Sequence, residues 1–180
     1  MRDARYTVCM QTVYLVAGSP PVWGDLHPPS AVNCTAMRCP RPRAALLTCI
    51  ERKSRFLLTT KLEDEKSKTT INALADLLKS MPERVRKTIT PDNGGEFYQH
   101  QRLPVRTFFC DPHAPWQRGS IENANGALRR ALPRKTAINK FTEQDINDIV
   151  WTYSTTPRKS LGFYIPLEVL IKSMGVALRI

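Results

Sequence analysis

Two short stretches of this sequence carry residues able to hold a metal ion beside a phosphate. In Thr90-Pro91-Asp92-Asn93-Gly94-Gly95-Glu96-Phe97, an aspartate follows the β-type run Val85-Arg86-Lys87-Thr88-Ile89-Thr90 and leads at once into a turn. A carboxylate presented at a strand end, with glycines behind it, can take a divalent cation and leave room for a phosphate. Asp-Asn-Gly is also an ordinary turn signal. The second stretch, Asp111-Pro112-His113-Ala114-Pro115-Trp116-Gln117-Arg118-Gly119-Ser120-Ile121-Glu122-Asn123, adds a carboxylate, Glu122, at the start of a helix after one intervening strand. Chemistry at a phosphodiester needs charge neutralised on a pentavalent phosphate and a water or hydroxyl made nucleophilic. Two magnesium ions roughly 4 Å apart do both when several carboxylates hold them. Asp92 and Glu122 suit that task in type, because Mg²⁺ prefers hard anionic oxygens.

The 180 residues are enough for one domain with a real core. A net charge of +11 and a pI near 9.8 ask for an acidic partner. Nucleic acid is the commonest, since each Lys or Arg set against a phosphate releases counterions. An anionic membrane is the rival, but no stretch resembles a basic amphipathic helix with a long apolar face, and no run reaches membrane-span length. Arg2 and Arg5 precede the apolar Val13-Tyr14-Leu15-Val16-Ala17-Gly18, but this run is short and follows Gln11 and Thr12, which argues against an export signal. Five unevenly spaced cysteines (Cys9, Cys34, Cys39, Cys49, Cys110) suit a reduced, cytoplasmic protein. His27, Cys34 and Cys39 fit no zinc-ribbon or zinc-finger spacing.

Those carboxylates need elements to position them. Residues 1–43 are dense in proline and read as an irregular, poorly ordered segment, with one island at Val22-Trp23-Gly24-Asp25-Leu26. From Ala44 the text is regular, and residues 44–180 read as the folded core. Ala45–Ile50 and Arg55–Leu62 form an antiparallel hairpin around the polar turn Glu51-Arg52-Lys53-Ser54. A helix follows, with Glu63, Asp64 and Glu65 near its start, Lys79 in its last turn, and Ile71, Leu74, Ala75 and Leu78 on one face. Met81-Pro82 stops it. The strand leading to Asp92 comes next, then a strand at Val105–Cys110. Ser120 is placed to cap a helix from about Ile121 to Leu132, and Thr142-Glu143-Gln144-Asp145 is a capping box ahead of a helix bearing Ile146, Ile149, Val150 and Tyr153. A basic loop, Thr156–Gly162, precedes a last helix with Pro166 in its first turn. The order predicts an α/β fold with a mixed sheet flanked by helices.

Four blocks then carry a resemblance, in order: Glu51-Arg52-Lys53-Ser54-Arg55-Phe56; Thr90–Phe97 with His100; Trp116–Gly126 with Leu128-Arg129; and Pro157-Arg158-Lys159-Ser160-Leu161-Gly162 with Pro166 and Glu168-Val169. Over about residues 44 to 172 the chain resembles the insertion-sequence transposases of the IS-thirty family. The resemblance implies a ribonuclease-H-like core of the integrase and transposase type. It also implies a DDE triad, Mg²⁺ (or Mn²⁺) dependence, and cleavage and joining of DNA at transposon ends. The implied partners are DNA and further copies of the chain in a transposition complex, in the bacterial cytoplasm and at the nucleoid. By motif, Asp92 is the second acid and Glu122 the third, both metal ligands, and Asn93 and Gly94 form the turn presenting Asp92. Arg118, Arg129, Arg158 and Lys159 are candidate DNA-phosphate contacts, with a solvated surface as the plain alternative. Trp116 reads equally as core packing or as a DNA contact, and His100 and Gln117 sit in the blocks without an assigned role.

The sequence departs from the family in three places. The first acid belongs in a Trp-Glu-Gly-Asp-Leu strand before the Glu51 block; here Trp23-Gly24-Asp25-Leu26 is one residue short, and the span from Asp25 to Glu51 is long and proline-rich. A reading-frame disturbance upstream of about Arg43 accounts for both, and leaves Asp25 as the candidate first acid. The link from Phe97 to Asp111 is shorter than the family's by about one helical turn. The family's N-terminal helix-turn-helix region has no counterpart, so the chain reads as truncated. The rival readings are an inactive remnant that only binds DNA, and a nuclease acting on RNA–DNA hybrids, which the blocks outside the carboxylates do not support.

Overall fold

The run Ala45-Leu46-Leu47-Thr48-Cys49-Ile50-Glu51 lacks polar alternation, and a computed structural model of the chain, which describes residues 31–38, 44–111, 115–133 and 136–175, shows why. This strand, numbered β2 below, has both faces covered, so neither set of alternate side chains meets water. Ala45, Leu47 and Cys49 enter one apolar cluster, Leu46 and Ile50 the other. The hairpin partner, Leu57–Leu62 (β3), pairs antiparallel with β2 from Ala45↔Leu62 to Ile50↔Leu57. Glu51 closes the turn between them. Its buried carboxylate accepts from the amides of Lys53 (3.1 Å) and Ser54 (2.6 Å) and from Ser54 Oγ (2.6 Å). The Glu-Arg-Lys-Ser block is thus a folding device, and Arg55, at φ 62°, completes the reversal.

One expectation is corrected here. The segment taken as irregular contains a strand, Ala31–Arg38 (β1), at the centre of the sheet. It pairs antiparallel with β2 and parallel with Thr88–Pro91 (β4), so the core extends upstream of residue 44. The physical reason is plain: the prolines flank this octapeptide but none lies inside it. Val32 and Cys34 fill one cluster and Met37 the other, while Asn33 and Thr35 are polar residues buried on the Met37 side.

The sheet order is β3-β2-β1-β4-β5, where β5 is Arg106–Thr107, parallel to β4. Both β4 and β5 are shorter than expected. Val85 belongs to a turn, its amide bonded to Pro82 O at 3.0 Å, and β5 pairs only at Thr88↔Arg106 and Ile89↔Thr107. Helix α1, Ser67–Ser80, packs Ile71, Leu74 and Leu78 on one face of the sheet. Glu63, Asp64 and Glu65 lie just before it rather than in its first turn. On the opposite face lie α2 (Gly119–Ala131), through Ile121, Ala124 and Leu128, and α3 (Glu143–Thr155), through Ile146, Val150 and Tyr153. The Thr142–Asp145 capping box is formed as expected. The expected cap of α2 is not: a 3₁₀ turn, Pro115–Arg118, runs straight into the helix, so Arg118 is the N-cap and Ser120 lies inside, accepting from the Arg55 guanidinium. Helix α4, Pro166–Ser173, begins at its proline and joins the α1 side through Leu170.

Candidate metal and nucleic-acid site

The parallel register of β1 and β4 determines what faces Asp92. Asn33 pairs with Thr90 and Cys34 with Pro91, so Thr35 stands level with the residue after β4. Thr35 Oγ1 donates to Asp92 Oδ2 at 2.5 Å, and Arg118 Nη2 donates to the same oxygen at 3.2 Å. The Gly94 amide donates to Asp92 Oδ1 at 3.1 Å. A Cβ at Gly94 would lie 2.4 Å from the Oε2 of buried Glu96, so any larger residue there must displace that carboxylate. Asn93 does not face the carboxylate; its Nδ2 donates to Cys110 O at 3.2 Å and ties the Asp92 turn to the segment after β5.

Glu122 is exposed in the first turn of α2. Arg118, Glu122, Asn125 and Arg129 follow one another at helical spacing and share one stripe. Two members touch the sheet on either side of Glu122. Arg118 reaches Asp92, and Asn125 Oδ1 lies 3.0 Å from Thr48 Oγ1, the register partner of Thr35. The Thr48 hydroxyl is also 3.2 Å from Thr35 O, so its one proton serves either acceptor. The stripe bearing Glu122 therefore borders the sheet where Asp92 emerges.

The remaining expected site residues are placed unevenly. Asp25 lies outside the described residues, as does the Trp116 side chain. The strand before the Glu51 block is β1, and its position facing Asp92 holds Thr35, not an acid. Arg118 is engaged with Asp92. Arg158 is packed into its own loop, stacking at 3.9 Å over the Tyr153 ring and donating to Tyr153 O at 3.0 Å. Lys159 is exposed and Arg129 half-buried. His100 braces the turn after Asp92: Nδ1 is 3.2 Å from Phe97 O and its ring meets the edge of Phe109 at 4.7 Å. Gln117 and Asp111 bracket the intervening loop by two hydrogen bonds of 3.0 and 2.8 Å.

Asp92 and Glu122 fit a divalent cation in chemical type, but the described donors fall short of a full two-ion site. Among the described residues no group of three or more His, Cys, Asp or Glu side chains is arranged to hold a metal. Both oxygens of Asp92 already have partners, and the Arg118 guanidinium sits where a cation would gain most. Sequence reasoning missed Thr35 and Asn33. The Asn33 amide is fully buried behind the site with no partner among the described atoms. Burial, and then the neighbouring Cys49, push the Cys34 thiol well above its usual range; burial also raises Cys110, against the guanidinium of Arg118.

No protein-family model matches the chain. Over 137 residues it is 36% identical to the transposase InsI for insertion sequence element IS30A of Escherichia coli (strain K12), covering 74% of this chain and 35% of that protein. It is equally 36% identical over 137 residues to the transposase for insertion sequence element IS1086 of Cupriavidus metallidurans, of which it covers 40%. An 85-residue stretch is 39% identical to the transposase for insertion sequence element IS4351 of Bacteroides fragilis. The chain thus spans 35% and 40% of the length of the first two relatives. Among solved structures, the catalytic core domain of BIV integrase superposes with a TM-score of 0.62 at 15% identity, over 81% of this chain and 96% of that one. A simian T-cell lymphotropic virus intasome chain gives 0.62 at 16% identity, over 85% of this chain and 58% of that one. The mixed sheet and its helices are the ribonuclease-H-like fold of integrase catalytic cores.

Proposed function

We propose that this chain, 36% identical over 137 residues to the transposases of insertion sequence elements IS30A and IS1086, belongs to the IS30 family of insertion-sequence transposases and supplies the segment that cleaves DNA at the ends of an insertion sequence and joins them to a target. The observation that carries this reading is the convergence of Asp92, at the end of β4, with the α2 stripe bearing Glu122. Asp92 and Glu122 are the second and third acids of a DDE site, with Asp25 as the candidate first acid. Mg²⁺ or Mn²⁺ bound there would supply charge neutralisation at the phosphate and an activated water or hydroxyl. The chain's own residues do the positioning. The Gly94 amide holds Asp92 Oδ1, Arg118 pairs with Oδ2, and the Asn125–Thr48 contact anchors α2 against the sheet. The basic surface, with Arg129 and Lys159, draws in the DNA backbone. The same reading puts DNA and further copies of the chain in one complex, in the bacterial cytoplasm and at the nucleoid. Among the described residues no helix is long and apolar enough to cross a membrane.

The test is nicking and strand transfer on plasmid carrying the DNA that borders the gene, with Mg²⁺ or Mn²⁺. Activity lost in Asp92→Asn, Glu122→Gln and Asp25→Asn supports the proposal; a wild type inert with both metals overturns it. A second reading has a specific observation behind it. Thr35 faces Asp92 where an acid is needed, and Arg118 neutralises Asp92, which favours a remnant that binds DNA without cutting it. An inert wild type that still binds DNA, together with cleavage gained in Thr35→Asp, selects that reading.

A further inference from the structure

The turn that presents Asp92 also forms one end of a cavity of about 560 Å³, a volume within the range of small-molecule sites. Asn93 and Gly94 belong to both. Beyond them the cavity is lined by Tyr98, His100, Arg102 and Phe109, and among the described residues no carboxylate lines it. Two of these rings are displayed to solvent: Tyr98 is 82% exposed and Phe109 40%. Exposed aromatic rings grouped at one cavity make a surface suited to a ligand. Phe109 is held by the edge contact with His100, and Arg102 Nη1 rests on Gln99 Oε1 at 3.2 Å at the rim. Flat π faces, a guanidinium and amide groups, without negative charge, are the complement of a nucleobase with its phosphate.

We infer that this cavity receives the unpaired base next to the phosphate presented to Asp92, stacked against Tyr98 and Phe109, with its backbone phosphate toward Arg102. The inference rests on DNA being the partner, as proposed above. Any phosphate held at Asp92 has a nucleoside one covalent step away, and the cavity starts one residue from that carboxylate. A fully paired duplex keeps its bases stacked, whereas an end or mismatched base is cheap to extrude. The occupant is therefore an unpaired terminal base. Stacking of this kind tolerates any base, so the site reports strand state rather than sequence.

The experiment uses the whole chain in EDTA, so that binding is read without metal chemistry. Two fluorescent duplexes are compared, one blunt and one ending in a single unpaired 2-aminopurine. The expected result is about 5- to 20-fold tighter binding of the second, with quenched 2-aminopurine emission. Tyr98→Ala, at an exposed position that leaves the core intact, should abolish the preference and the quenching while blunt-duplex affinity stays. Equal affinity without quenching, or equal weakening of both duplexes by Tyr98→Ala, overturns the site. Failure to bind either duplex overturns the DNA reading itself, and the site with it.

Discussion

Replacing Arg118 by Met tests whether a guanidinium and a metal compete for Asp92. The pair is 3.2 Å apart, with side chains 29% and 15% exposed. At that distance, in an effective dielectric of about 20, the gross attraction is about 5 kcal/mol. Desolvation and the ordering of a long side chain offset most of it, leaving about 1–2 kcal/mol net. Asp92 keeps its Gly94 and Thr35 donors in the variant, so the loss should stay in that range. For a chain of this size, it lowers the melting temperature in EDTA by about 2–8 °C. The sign reverses for metal. In wild type a cation must displace Arg118 from Oδ2; in the variant it need not. The same 1–2 kcal/mol then appears as about 5- to 30-fold tighter Mn²⁺ binding, read from the midpoint of the metal-dependent rise in melting temperature. Asp92→Asn and the double variant complete the cycle. An unchanged Mn²⁺ midpoint in Arg118→Met refutes the competition. An equal thermal loss in the Asp92→Asn background shows that the loss never came from the pair.

Three further outcomes follow from contacts elsewhere. Glu51→Ala leaves the Lys53 and Ser54 amides and the Ser54 hydroxyl without their acceptor; unfolding in urea should show a loss of about 2–4 kcal/mol, with Glu51→Gln recovering part. Gly94→Ala forces its methyl against the Glu96 carboxylate, at about 1–3 kcal/mol, and chemical denaturation should register it even though the added atom is apolar. Hydrogen bonds from Thr142 hold the Asp145 carboxyl below its usual 3.8. Its contribution is therefore present above that value and lost as pH falls through the lower folded value. Melting curves between neutral pH and pH 2 should show Asp145→Ala flattening the acid limb in that window, and an unchanged limb would remove the capping argument.

What could be read beforehand was what is local. The β2–β3 hairpin announces itself by two apolar runs about a polar turn, and the Thr142–Asp145 box by residues three apart. Strand β1 did not announce itself. Its pairing partners in β4 lie far along the chain, and Asn33 and Thr35 look like loop residues until the register shows which way they point. Arg118 is the same lesson in a side chain. Its charge suggested a DNA contact, yet it pairs with a carboxylate 26 positions earlier, which only the packing of α2 on the sheet brings near. The places of Asp92 after a strand and of Glu122 in a first helical turn were legible because strand end and helix start are themselves sequence signals. Thr35, which donates to Asp92, carries no such signal.

The placement of β1 has a consequence for how this molecule is made and broken. It alone joins an antiparallel half, built from neighbours in sequence, to a parallel half assembled across long loops. A chain begun at Ala44, where the text turns regular, would carry two raw ladders of unanswered amides and carbonyls facing an empty slot. Such a slot accepts any passing strand, including one from another copy. Shortening the protein to its recognisable part should therefore yield a sticky, self-associating species rather than a smaller soluble core.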